Sequence, residues 1–181
     1  MNDPEPDTTD LRAGASLHDA LLGLLPLVGV WRGGGHGAVE STGATFRFGQ
    51  QVSFAHDGRP FLAYEARAWL LDDAGAVLRP AWRESGFWRP GTGADDIEVV
   101  LASNTGQALT YTGTAGDQQW EIITEHAHPT PTAKHVDAER RLYALVDDEL
   151  LYATELAPAG RSLAPHLNAR LGRLAQHARN G

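Results

Sequence analysis

Hydrophobic residues recur along this chain first at helical spacing and then, for most of its length, at every second position. Leu17, Ala20, Leu21, Leu24 and Leu25 fall on one helix face. Ser16 stands in the N-cap position with Asp19 three residues on, and Pro26 and Gly29 stop the pattern, so an N-terminal helix is predicted here. Beyond Ala44 the period changes to two. In "ATFRFGQQVSFA", Phe46, Phe48, Gln50, Val52 and Phe54 share one face, and Thr45, Arg47, Gln51 and Ser53 take the other. Asp57-Gly58 supplies a turn, and the alternation resumes in "FLAYEARAWLL". In "LRPAWRESGFWRP", Trp82, Glu84, Gly86 and Trp88 alternate with Arg83, Ser85 and Phe87. Further runs follow in "IEVVLASNTG", "QALTYTGTAGD", "QWEIITEHAH", "TAKHVDAERRLYALV" and "ELLYATELAP", punctuated by turn signals. Short strands with no helical segments between them predict an antiparallel meander. In "PHLNARLGRLAQHA", Leu167, Leu171, Leu174 and Ala178 return to helical spacing behind Pro165, so a short C-terminal helix is predicted. The expected fold is therefore all-β. It is a closed antiparallel up-and-down barrel of about ten strands, carrying one helix at each end of the chain and wide enough to enclose one ligand.

Length and charge narrow the picture. A chain of 181 residues suits one domain. Its acidic, proline-bearing start is expected to be a disordered tail over 1–14, followed by a single barrel domain over 15–178. A net charge of -8 argues against nucleic acid or an anionic membrane as partner. No apolar run approaches the roughly 20 residues of a membrane-spanning helix. The absence of cysteine excludes a disulfide framework and a thiolate metal site, and fits a cytoplasmic location.

The stretch "LVGVWRGGGHGAVE" crowds five glycines around Trp31. No lysine stands in register for a phosphate-binding loop, and the flanking elements do not match a dinucleotide-binding turn. In a barrel, the first strand bends and passes close to its neighbours where the sheet closes. Glycines permit that approach, and Trp31 can plug the base. The spacing Gly29-x-Trp31-x-Gly33-x-Gly35 is G-x-W-x-G-x-G.

That motif resembles the signature of the nitrobindin family. The segments "FAHDGRPFLAYEARAW", "RESGFWRP", "IEVVLASNTG", "PTAKHV", "RRLYALVDDELLYATEL" and "PHLNARLGRL" extend the resemblance over roughly residues 17 to 174. The family's members are ten-stranded barrels related in shape to fatty-acid-binding proteins. The resemblance implies ferric haem b in an open pocket, isomerisation of peroxynitrite to nitrate, binding of nitric oxide, and a possible homodimer. By position, His166 in "PHLNARL" matches the family's axial iron ligand and Lys134 in "PTAK" a residue lining the haem site. Family members often carry Tyr-Pro-Thr-Ile soon after the glycines. This chain reads "AVESTGATF" there, with Thr42 standing in for that threonine. On residues alone, His166 reads as a surface or capping histidine at a helix start. At that position the helix dipole disfavours imidazolium and leaves a lone pair free for iron.

Other chemistry finds less support. His126 and His128 form an H-x-H pair that, with His135, makes a three-imidazole zinc constellation or, more simply, a polar strand end. His36 and His56 lie in loop-like contexts, and no serine occupies a G-x-S-x-G elbow. No general base stands out, so no catalytic group is expected beyond the haem iron. The alternative is an intracellular carrier of a fatty acid or another small apolar ligand. Such a carrier would favour an inward arginine–tyrosine cluster, but Tyr64 and Arg67 fall on opposite faces of their strand.

Overall fold

A computed structural model describes residues 6–39 and 42–175. A 3-10 helix, Asp19–Leu27, leads into ten strands: β1 (Gly29–Ala38), β2 (Thr45–Ala55), β3 (Leu62–Leu71), β4 (Val77–Pro90), β5 (Asp96–Ser103), β6 (Gln107–Gly116), β7 (Gln119–Pro129), β8 (Val136–Val146), β9 (Glu149–Pro158) and β10 (Ala164–Arg173). Each strand pairs antiparallel with its sequence neighbour, and β10 returns to β1, which closes the barrel. The alternation read from the sequence is the alternation of the wall. Phe48, Gln50, Val52 and Phe54 are buried on β2, and Leu62, Tyr64, Ala66 and Ala68 on β3.

The two terminal elements differ from expectation. The N-terminal helix is a 3-10 helix that starts later, with His18 rather than Ser16 as its cap: His18 Nδ1 accepts from the Ala20 amide at 3.1 Å. Its buried face is Leu21, Leu24 and Leu27, a strict three-residue spacing that a 3-10 helix aligns. The predicted C-terminal helix is instead strand β10; Ala178 lies outside the described residues. Leu167, Ala169 and Leu171 also satisfy a period of two, and β1 needs a partner along its free edge. Pairing seven residues of β10 with β1 satisfies that edge, and tertiary closure overrides local helix preference. Within the expected tail, Thr8 forms an antiparallel bridge with His56, exchanging hydrogen bonds of 2.8 and 2.9 Å.

Close approach explains the glycines of β1. A Cβ on Gly33 would overlap the Arg170 carbonyl, and one on Gly35 the Asn168 carbonyl, both on β10 at the closure. Trp31 is fully buried, and its Nε1 donates to the Leu27 carbonyl at 2.8 Å. Trp120, at the start of β7, donates to the Gly23 carbonyl at 2.8 Å. These two indoles bind the 3-10 helix across one end, so Trp31 does help close the base. Trp88 fills the space above, with the rings of Phe54 and Tyr143 at 5.5 and 5.3 Å.

Candidate functional site

Up-and-down connectivity puts alternate connections at opposite ends. The β1–β2, β3–β4, β5–β6, β7–β8 and β9–β10 connections ring the end away from the 3-10 helix. With tryptophans packed into the base, the hollow part of the barrel is a cup at that end, about 250 Å3 in volume. Phe46, Trp82, Leu101, Val136, Leu156 and Leu167 make its apolar wall. A ligand held there has one edge in water.

His166 lines this cup. The inward residues of β10 are Leu167, Ala169 and Leu171, so simple alternation would point position 166 outward. The register shifts between Pro165, opposite Glu155, and Leu167, opposite Thr154, which leaves His166 as an extra residue in a bulge. The bulge turns it inward. Its Nδ1 is buried without a hydrogen-bond partner among the described residues. The helix-terminus argument for His166 therefore does not apply, because the residue lies on a strand. An uncommitted imidazole aimed into an apolar cup nevertheless suits an iron ligand.

Lys134 and Thr42 stand on the rim. Lys134 is exposed on the β7–β8 connection, and its carbonyl accepts from Gln107 Nε2 of the cavity wall. Thr42 is exposed in the β1–β2 connection, where its Oγ1 accepts from the Ala44 amide at 3.2 Å. Neither side chain forms part of the cavity wall. The zinc constellation does not assemble. His126 and His128 are exposed on β7 with rings 6.3 Å apart, and His135 Nδ1 lies 3.1 Å from Asp137. No cluster of three metal-ligating groups occurs among the described residues. His36 is exposed on β1, and His56 is buried beside Thr8.

The floor of the cup is a buried ionic network that the sequence reading missed. Arg141 donates from Nη1 and Nη2 to the two oxygens of Glu84 at 2.6 and 2.9 Å. It donates from Nε and Nη2 to Glu139 at 3.0 and 3.1 Å. Tyr64 donates to Glu84 and Tyr111 to Glu139, each at 2.7 Å, while Tyr152 donates to Gln50 at 2.5 Å. Burial alone would raise the pKa of Glu84. The charge of Arg141 and the hydrogen bonds from Arg141 and Tyr64 outweigh it and hold the carboxyl below its ordinary value. Burial likewise opposes the charge of Arg141, but Glu139 and Glu84 prevail and hold it protonated. Desolvation raises Tyr64, Tyr111 and Tyr152 well above 10, so they stay neutral donors. The floor thus gathers two carboxyl groups, Glu84 and Glu139, around one guanidinium. The signal was in the sequence: Glu139, Arg141, Tyr143 and Leu145 share one phase of β8.

A closed ten-stranded barrel with an apolar cup and an unpartnered imidazole in its wall offers the dry space and the nitrogen donor that a haem-binding barrel needs. The chain matches the profile of the THAP4-like, heme-binding beta-barrel domain over residues 20–173, and it belongs to that family. It is 47% identical to a peroxynitrite isomerase of Salinispora arenicola, over 95% of this chain and 90% of that protein. A ferric nitrobindin-like protein of Saccharopolyspora erythraea is 45% identical over 93% of this chain and 80% of its own length. The crystal structure of Rv2717c from M. tuberculosis superposes with a TM-score of 0.77 at 32% identity, covering 88% of this chain and all of that one. The resemblance to nitrobindins read from the motifs is borne out. No helix among the described residues is long and apolar enough to cross a membrane.

Proposed function

We propose that this protein is a ferric haem b enzyme that isomerises peroxynitrite to nitrate, with His166 as the axial iron ligand. The observation that carries the reading is the bulge that turns the unpartnered imidazole of His166 into the cup. Relatives named peroxynitrite isomerase, at 42–47% identity over nearly the whole chain, support the reaction. Ferric haem, when bound, would supply a Lewis-acidic iron for the rearrangement of peroxynitrite to nitrate.

The chain's own residues hold and surround that group. His166 would offer an imidazole nitrogen to the iron. The apolar wall around Phe46, Trp82 and Leu167 would keep water from the part of the group held inside the cup. Lys134 and Thr42, on connections ringing the mouth, would be the polar residues available to a haem held in the cup. The floor's guanidinium is already engaged by Glu84 and Glu139, so it offers no free cation to draw an anion deep into the barrel. No proton must be moved, and no general base is needed. Nitric oxide is a second ligand of the same iron, and the protein acts in the cytoplasm as a homodimer.

The carrier reading fits less well. The structure does place an arginine–tyrosine cluster inward, Arg141 with Tyr64 and Tyr143, which the opposed faces of Tyr64 and Arg67 had argued against. The three nitrogens of Arg141 are, however, already engaged by Glu84 and Glu139 and not free for a fatty-acid carboxylate. Titration of the apoprotein with haemin tests the proposal. The wild type takes up one haem per chain with a strong Soret band, and His166→Ala loses the wild-type ferric spectrum. Stopped-flow mixing of the loaded protein with peroxynitrite raises the nitrate yield. An unchanged spectrum in His166→Ala refutes the ligand assignment, and an unchanged nitrate yield refutes the activity.

A further inference from the structure

We propose that Thr154 is a positioning residue that holds the β10 bulge and so aims His166 into the cavity, an inference that rests on His166 as the axial ligand. Thr154 faces Leu167 across the β9–β10 ladder, beside the extra residue. It is 3% exposed and lines the same cavity as His166. Its Oγ1 accepts from the Leu167 amide at 3.2 Å. That amide is the first donor after the bulge, where the ladder has lost its regular geometry. Neighbouring pairs are regular on the far side: Asn168 opposes Ala153 and Ala169 opposes Tyr152. The threonine hydroxyl thus sits at the single step where the backbone changes phase.

The consequence for the ligand follows from parity. A strand has a side-chain period of two, so removing the extra residue from the ladder would return position 166 to the outer face. Whatever stabilises the bulge stabilises the inward imidazole. A β-branched residue with restricted χ1 suits this task, because the hydroxyl is held toward β10 without further support. Second-sphere groups that orient a metal-bound histidine change metal affinity or activity by about 10–100-fold when removed. Thr154 differs from the usual case in acting on the backbone beside the histidine instead of on its ring.

Thr154→Val keeps the shape and strand preference of the side chain and deletes the acceptor. Thr154→Ser keeps the acceptor. Two measurements on the full chain separate the roles. In the apoprotein, hydrogen exchange at the Leu167 amide is expected to quicken about tenfold in Thr154→Val and to stay near wild type in Thr154→Ser. In the haemin-loaded protein, Thr154→Val is expected to show an altered ferric spectrum and haem release about tenfold faster, by transfer to a haem-scavenging apoprotein. Thr154→Ser is expected to restore both. Circular dichroism establishes that each variant is folded, and Thr154→Ala replaces the valine variant should that one not fold. A valine variant matching the wild type in amide exchange and spectrum overturns the proposal, as does a serine variant that fails like the valine. An unaltered spectrum in His166→Ala overturns the ligand reading instead, so the two failures are distinct.

Discussion

Replacing Arg141 with methionine keeps a long side chain in the barrel floor but strands two carboxylates. In the wild type, Glu84 and Glu139 share one guanidinium through four hydrogen bonds of 2.6 to 3.1 Å. Without it, only the Tyr64 and Tyr111 hydroxyls remain as partners for two adjacent buried carboxyls. Breaking a buried ion pair by removing one partner costs about 3–5 kcal/mol. For a chain of this size that is a fall in melting temperature of about 6–20 °C. Thermal unfolding of the apoprotein, followed by circular dichroism at neutral pH, measures it. The pH dependence has a definite sign. Without Arg141, Glu84 keeps the burial that raises its pKa and loses the charge that lowers it, so the variant is expected to recover ground relative to wild type as acid neutralises that carboxyl. A triple variant, Arg141→Met with Glu84→Gln and Glu139→Gln, removes the charges together and is expected to regain most of the loss. The reasoning is refuted if the single variant melts within about 2 °C of wild type, a shift of 1 kcal/mol or less. It is refuted equally if the triple variant melts no higher than the single one.

Other outcomes are expected from the same geometry. Gly33→Val forces a side chain into the Arg170 carbonyl and should lower the apoprotein's melting temperature before any ligand is added; a normal melt with lost haem binding would mean that the glycine touches the ligand. Lys134→Ala removes an exposed ammonium, worth up to about 1 kcal/mol, so haem release should quicken by no more than about fivefold with an unchanged ferric spectrum. Glu84 has a pKa below its ordinary value in the folded barrel, so its contribution is complete above the ordinary carboxylate value and is lost as pH falls through the lowered one. Acid titration of the wild type should therefore show stability falling below about pH 4.5, and Glu84→Gln should flatten that fall.

Most of the wall was legible because a barrel strand announces itself by alternation. Phe46 to Phe54 and Leu62 to Ala68 face inward as their period requires. The ends were harder. Leu167, Leu171 and Leu174 fit a helix, while Leu167, Ala169 and Leu171 fit a strand. Only the empty edge of β1, a feature of the closed sheet, decides between them. The inward turn of His166 was illegible from alternation, since it depends on a one-residue register shift against β9. Its place in the chain was found through resemblance instead. The floor network escaped because charged residues in phase with Tyr143 look like surface residues until a partner is seen. Glu84 lies 57 positions away from Arg141, on a strand not adjacent to β8.

The base also gathers the two ends of the described chain. Thr8 is stitched to His56 between β2 and β3, and Arg173 reaches the Pro26 carbonyl and lies 4.0 Å over the Trp31 ring. Thr8 and Arg173 are therefore both tied to the side of the barrel opposite the mouth. A fluorescent reporter or an affinity handle could be attached on that face, at the exposed Leu22 of the 3-10 helix, without shading the cup. Immobilising the protein through that face would present every mouth to solution, a geometry suited to surface-based measurement of small-ligand exchange.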